Sequence, residues 1–460
     1  MDTLQSLSIT DVYDRFCAGR KMSEDYWDYS LIPENASKMK KKYGISFGRD
    51  VVPDDDDLLD RLFEAGCEML TETGFYCPDI GRALRVTRDE IDFALDEVPR
   101  NVPIGSGRDT VILEPRKRDS EKGPTVIGGP AGSLVTEELY TGTMMSYAQE
   151  RCVDALFDGA INIPNADTYP DSPQEMYSVI KEIRYSEMAR MNSGRPGMCM
   201  VGPESSLTIG SRIIANLPNG GMRTSDAHNI PQRNELKIDA ASLNMLTAAK
   251  INGNIIMVEG LPILGGYCRG VEETSICEIA SAIASFVLFG AHVHSCGPIH
   301  IKYGATTARE TLKAHSHSVA ALDRNTDALI GSMFYVASGP CTEMCFLENA
   351  TQAVVATVSG VEVIETSASC KGAEVDRATG KEARFAAKAS QAAAGLTADE
   401  ANEIVERLLG SYESDLGNAP DGMSFRECYD PLTGKPTEEH LRIYEDTVTK
   451  VRDLGLPMRS

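Results

Sequence analysis

Between Thr125 and Ser367 the chain repeats one pattern, a short apolar run that ends in glycine, proline or polar residues and is followed by a helical stretch. The runs are Thr125–Gly129, Gly159–Pro164, Gly197–Gly202, Gly221–His228, Ile255–Gly260, His292–Pro298, Ser332–Pro340 and Val361–Ser367. Eight strand-plus-helix units, roughly 25–40 residues apart over about 250 residues, predict a parallel (β/α)8 barrel. Four of the runs end in Gly-Pro, at Gly129, Gly202, Gly297 and Gly339. A proline there stops the hydrogen-bond ladder and starts the turn towards a helix. A doubly wound sheet is the competing arrangement, but no glycine-rich dinucleotide fingerprint follows the first strand.

The flanks read as helical. We expect an N-terminal helical region with a hairpin over residues 1–120, the barrel over 121–385 and a C-terminal helical extension over 386–460. Asp54–Asp57 is an acidic first turn ahead of an amphipathic run that Gly66 is expected to stop. Thr87-Arg88-Asp89-Glu90 and Thr397-Ala398-Asp399-Glu400 are capping-box patterns. Asp109–Glu114 and Pro124–Gly128 flank a charged turn and suggest a hairpin. A formal charge of −23 opposes binding to nucleic acid or anionic lipid. No run is long enough to span a membrane; Ile279–Val293 comes nearest and is rich in small residues. Twelve cysteines without an apolar leader predict reduced thiols and a cytoplasmic protein.

Catalytic groups of such barrels sit at the C-terminal ends of strands. That rule selects Val201, Asp226, His228, Asn229, Glu259, His294, Cys296, Met333 and Tyr335. Glu259 follows the apolar Ile255–Val258 and should be delivered into the barrel mouth. There it would face a substrate ammonium, act as an acid or base of raised pKa, or pair with a barrel Arg or Lys. Alternation puts Met333 and Tyr335 on one face and Phe334 on the other; Tyr335 would donate a hydrogen bond, lend its ring to a cation, or pack in the core. His292, His294 and Cys296 share one strand face. Zinc ligands must converge on one point, whereas same-face residues on a strand stand ~6.5–7 Å apart. Cys341 and Cys345 have helical spacing and read as buried thiols. Asp226-Ala227-His228 approaches a lower-axial-histidine motif for cobalamin, but Pro231 replaces its glycine and no glycine-rich cradle follows.

Gly194-Arg195-Pro196-Gly197-Met198-Cys199-Met200-Val201-Gly202-Pro203-Glu204 resembles the active-site segment of the monomethylamine methyltransferases. The resemblance extends over most of the chain, through Gly105–Asp109, Asn234–Asp239, Gly270–Thr274, Gly297–Ile301 and Gly339–Cys345. It implies a (β/α)8 protein that assembles as a hexamer. It also implies methyl transfer from an amine to the Co(I) corrinoid of a separate protein docked over the barrel mouth. By position, Glu259 and Tyr335 match the family's substrate-pocket Glu and Tyr and are the expected catalytic pair. Val201 stands where the family carries pyrrolysine, Asn229 where a Glu is expected, Met333 where a Gln is expected, and Cys296 in place of an acid. With Phe334 and His294, these four are the expected substrate-binding residues.

The leading reading is therefore methyl transfer from an N-methylated, cationic amine, quaternary amines included, without pyrrolysine. The chain itself is expected to hold no cofactor and no metal. A second reading is a zinc-dependent methyltransferase acting on an O- or S-methyl compound through His294, Cys296 and Glu259. A third is a non-catalytic relative.

Overall fold

In the computed structural model, residues 6–162 and 169–459 are described. Eight parallel strands close on themselves: β1 (Thr125–Gly128), β2 (Ala155–Phe157), β3 (Cys199–Gly202), β4 (Ala227–Pro231), β5 (Ile255–Gly260), β6 (Val293–Cys296), β7 (Ile330–Tyr335) and β8 (Val363–Ala368). β8 pairs with β1 and β1 with β2, which completes a (β/α)8 barrel.

Strand alternation divides the apolar residues into two layers. Ile127, Phe157, Val201, Met257 and Met333 fill the lumen. Val126, Leu156, Ile256, Val258 and Phe334 face outward into a larger core shared with the surrounding helices. The helix Val271–Phe289 is buried along nearly its whole length. This explains why Ile279–Val293 reads as almost membrane-like: its first part is an interior helix, and no described helix is long and apolar enough to cross a membrane.

The flanking elements close the barrel's lower end. Val102–Ile104 pairs antiparallel with Val111–Leu113, and Val102, Ile104 and Leu113 join the lumen cluster. Gly105 and Ser106 donate backbone hydrogen bonds to Ser225 and Gly197, where β4 and β3 begin. The capping boxes at Thr87 and Thr397 form as their patterns predict.

Four sequence expectations are corrected. The Gly159–Pro164 run is not a barrel strand; Ala160–Asn162 pairs with Leu134–Thr136 outside the barrel, and residues 163 and 164 lie outside the described residues. The true β2 is the three-residue Ala155–Phe157, too short to stand out. The hairpin partner of Val111–Leu113 is the preceding segment, not Pro124–Gly128, which enters the barrel. The Gly221–His228 run begins too early, because β4 starts at Ala227. Gly66 does not stop a helix. The helix Asp56–Thr73 runs through it, and a Cβ there would stand 2.3 Å from Cγ2 of Ile279. Glycine is needed for close helix packing at that point.

Barrel closure rests on a similar approach at Gly129, where a Cβ would meet the Phe157 carbonyl oxygen at 1.8 Å. Backbone cannot step aside as a flexible side chain can. Gly129→Ala is expected to destabilise the protein by at least ~2 kcal/mol, against less than ~0.5 kcal/mol for Gly48→Ala, whose Cβ meets nothing within 4 Å. Thermal midpoints of the two variants test this; equal midpoints would mean that the β1–β2 closure relaxes freely.

Candidate functional site

The inward faces of β4, β5, β6, β7 and β8 carry the lumen's polar groups. Asn229 Nδ2 donates to Glu259 Oε2 at 3.0 Å. Glu259 pairs in register with Ser295 on β6, and the Ser295 hydroxyl donates to Oε1 of Glu365 on β8. Gly331 leaves room for this contact, since a Cβ there would lie 2.8 Å from Ser295 Oγ and 3.0 Å from Glu365 Oε1. Below these groups the lumen is apolar, filled by Ile127, Phe157, Met257 and Met333. Glu204, Glu259 and Tyr335 keep part of their surface open, whereas Asn229 and Glu365 are buried.

Glu204 reaches the same space from the loop after β3. That loop is held by a second pair of acids. Glu182 accepts from the Glu204 and Ser205 amides, both at 2.7 Å. Asp158, fully buried, accepts from Ser186 Oγ at 2.8 Å and lies against Glu182. Burial pushes Glu182 up to about 7 and Asp158 well above the carboxylate range, where the charge of Glu182 pushes the same way.

The site's electrostatics follow from burial. Burial, followed by repulsion from Glu259, pushes Glu204 up to about 8, although Arg212 and a hydrogen bond from Asn229 pull the other way. Burial and the same repulsion push Glu365 up to about 8, opposed by the Ser295 hydrogen bond. Glu259 is raised by burial and eased by Asn229. Among the described residues, no Lys, Arg or His forms an ion pair with Glu259 or Glu365. The Tyr335 phenol is held well above its ordinary value by burial and then by Glu259, Glu204 and Glu365, so it stays neutral among the three acids. Its backbone is clamped: Tyr335 N donates to Thr306 Oγ1 at 3.0 Å, and Thr306 N donates to Tyr335 O at 2.9 Å. The pairing of β7 with β8 shifts register between Met333 and Tyr335, which re-aims the tyrosine at the mouth.

Of the residues singled out from sequence, Glu259, Tyr335, Asn229, Val201 and Met333 face the lumen together. Phe334, His294 and Cys296 do not, because alternation turns them into the helix layer. His294 is fully buried there, and both ring nitrogens lack a hydrogen-bond partner. Cys296 lies 3.8 Å from His315 Nδ1, which already binds Glu278 Oε1 at 2.9 Å. The set His294, Cys296 and Glu259 therefore does not assemble around one point. Asp226 sits where β4 begins, paired with Arg223. His228 points outward, with Arg212 at 3.1 Å from Nδ1 and Asn216 at 2.9 Å from Nε2. Sequence reasoning gave no role to Glu204 or Glu365. The signal for Glu365 was present, a carboxylate that follows Val363-Ile364 in the run Val361–Ser367.

A closed (β/α)8 barrel with a carboxylate-lined mouth is an enzyme-type scaffold. The family model of monomethylamine methyltransferase MtmB matches residues 7–456. The chain is 41% identical over 453 residues to monomethylamine methyltransferase MtmB1 of Methanosarcina acetivorans, covering 98% of this chain and 99% of that protein. The same coverage holds, also at 41% identity, for MtmB of Methanosarcina mazei. The crystal structure of MtmB from Methanosarcina barkeri superposes with a TM-score of 0.96 at 40% identity, covering 99% of both chains. A crystal structure of a hydroxylamine complex of MtmB matches equally well. The chain belongs to the monomethylamine methyltransferase family, and is thereby a methyltransferase.

The raised carboxyls set a pH dependence. A carboxyl whose folded pKa lies above its unfolded value of ~4.3 gives stability that is complete below that value and is lost as pH rises through the folded pKa. For Glu204 and Glu365 the window runs from the ordinary value up to about 8. The ligand-free protein is expected to lose thermal stability between pH 5.5 and 8.5. Glu365→Gln keeps the Ser295 contact and should make that fall shallower by on the order of 1–3 kcal/mol. An unchanged slope would mean that Glu365 is ionised throughout.

Proposed function

We propose that this chain moves a methyl group from an N-methylated, cationic amine to the Co(I) corrinoid of a separate protein, with no pyrrolysine taking part. The observation that supports this is the mouth itself: Glu204, Glu259 and Glu365 crowd around one neutral tyrosine, with no cation paired to Glu259 or Glu365 among the described residues. Burying such groups unpaired is costly, and a cationic ligand removes the cost. Family membership supplies the reaction class.

The residues divide the work. Glu259, fixed by Asn229, meets the ammonium charge. Tyr335 offers its ring face to the same charge. Val201 and Met333 present aliphatic surface to the methyl groups. Shared protons keep the pocket from carrying three full negative charges. That matters because nitrogen loses its positive charge as the methyl leaves, and too strong a grip on the ammonium would stabilise the ground state instead. In the transfer, the electron pair of the acceptor metal forms the new bond to the methyl carbon as the C–N bond breaks. The bonding pair stays on nitrogen, which departs as a neutral amine. The pocket's task is alignment, a proximity effect worth several orders of magnitude. The acceptor protein docks over the mouth, and the chain works as a homo-oligomer, hexameric by its family resemblance.

Val201 cannot capture an amine covalently, so substrate hold depends on shape and charge. Monomethylamine, with one methyl to bury, is expected to turn over more slowly than the best multiply methylated or quaternary ammonium. Methylation of Co(I) cobalamin, followed by its visible spectrum, reads this directly; equal rates would reject it. Glu259→Gln preserves shape and removes charge. It is expected to lower kcat/KM by about 2–4 kcal/mol in transition-state terms. A variant as fast as the parent would make Glu259 structural and the substrate uncharged.

A further inference from the structure

We propose that Cys341, Cys428 and His440 form a structural zinc site, remote from the barrel lumen, that pins the C-terminal segment to the loop leaving β7. Among the described residues, one thiol sulfur from each cysteine and one ring nitrogen of His440 lie within 4.8 Å of one another. All three side chains are buried, at 3%, 0% and 0% exposure. Tetrahedral zinc with metal–sulfur bonds of ~2.3 Å and a metal–nitrogen bond of ~2.0–2.1 Å sets ligand atoms roughly 3.5–3.8 Å apart. A contraction of about 1 Å or less would close the set.

The imidazole is already oriented for this role. Nε2 lies 3.1 Å from Glu382 Oε1, while Nδ1 is buried with no hydrogen-bond partner. An orphaned ring nitrogen beside two thiols is expensive unless something coordinates it. A carboxylate on the far nitrogen is the usual support of a metal-bound histidine. Glu382 also accepts from the backbone of Cys341 at 3.2 Å and from the Thr379 hydroxyl, so one carboxylate positions two ligands. Cys341 adopts a left-handed backbone, φ +60°, just before the helix Glu343–Ser359. His440 is packed between Phe346 and Tyr429, with ring centroids 5.8 and 5.6 Å away.

Three separate segments meet here. Cys341 belongs to the loop after β7, Cys428 ends the helix Phe425–Cys428, and His440 lies in the first turn of the helix Glu438–Asp453. Backbone hydrogen bonds from Gly339 to Pro420 (2.8 Å) and from Met423 to Pro340 (3.0 Å) hold the first two together. Two thiolates and an imidazole favour zinc over magnesium or calcium, and leave one position for a water. On binding, Cys341 and Cys428 release their thiol protons to water, and His440 coordinates as the neutral ring with Nε2–H donating to Glu382. The other such cluster, Glu278, Cys296 and His315, has one thiol, and its imidazole Nδ1 is already bound by Glu278. This proposal runs against the expectation that the chain holds no metal, and the zinc content decides between them.

The test uses the full chain, purified without chelator, and needs no activity. Elemental analysis should find about one zinc per chain, as purified or after incubation with Zn²⁺, released by an organomercurial. With Co²⁺ instead, thiolate charge-transfer absorption and the intense visible bands of tetrahedral cobalt should appear. Both are expected to vanish in Cys428→Ser. If that variant does not fold, the cobalt spectrum of the parent decides alone. Less than about a tenth of a zinc per chain after reconstitution would overturn the proposal. So would full zinc in a folded Cys341→Ser/Cys428→Ser protein, or a Cys341–Cys428 disulfide found in the protein as purified.

Discussion

Closing a sheet into a barrel leaves a lumen that water cannot share, and this molecule puts carboxylates at the top of it. Everything around the site serves that placement. The hairpin Val102–Leu113 plugs the lower end, and Ile127, Phe157 and Met257 fill the middle. The mouth is the polar end that remains. Because the acids sit on an apolar floor, their pKa values rise and they hold protons that solvent-exposed carboxylates would lose. The reactivity of the mouth is thus a property of the whole barrel. The same Glu259 on an exposed strand would be an ordinary carboxylate.

The repeat rhythm made the barrel legible, since strand ends need glycine or proline and helices need apolar spacing. What the rhythm missed were positions where tertiary contacts override local pattern. β2 is three residues long, and a neighbouring run that looks more strand-like pairs elsewhere. Gly66 reads as a stop but is demanded by Ile279 across a helix interface. Within the site, alternation along β7 was readable and correctly separated Tyr335 from Phe334. On β6, phase decided the outcome: with Val293 inward, His294 and Cys296 had to face the helices. A sequence shows the period of a strand more readily than its phase. Glu204 lay outside both signals, because a loop and not a strand delivers it.

That loop shows how costly positioning can be. Glu204 reaches the mouth because Glu182 accepts two backbone amides from the residues 204 and 205. Asp158 lies beside Glu182 and is held in turn by the Ser186 hydroxyl, and burial raises both carboxyls above their ordinary range. Three side chains, Glu182, Asp158 and Ser186, are thus immobilised to aim one. Such an arrangement holds only if the segment between β3 and the helix Ile209–Asn216 is rigid. Arg212 contributes by donating to Gly202 O at 3.1 Å and screening Glu204 from below.

The position before Gly202-Pro203 sits at the top of the same loop, packed in the lumen cluster with Phe157 and Met333. Of the supports just described, Asp158 meets this residue through the backbone, its amide donating to the Val201 carbonyl at 2.9 Å, a bond open to any side chain there. The framework that aims Glu204 therefore does not depend on what residue 201 is. A reactive side chain at that point would act on the substrate, and its replacement by valine leaves the acids, the tyrosine and the floor in place. On the function proposed above, selectivity rests on the fit of apolar groups against Val201 and Met333, with the charge met by Glu259. One missing or extra methylene in an apolar pocket changes selectivity by only about 1–3 kcal/mol. An enzyme of the proposed function would therefore discriminate among methylated ammonium compounds by graded preference rather than by strict exclusion.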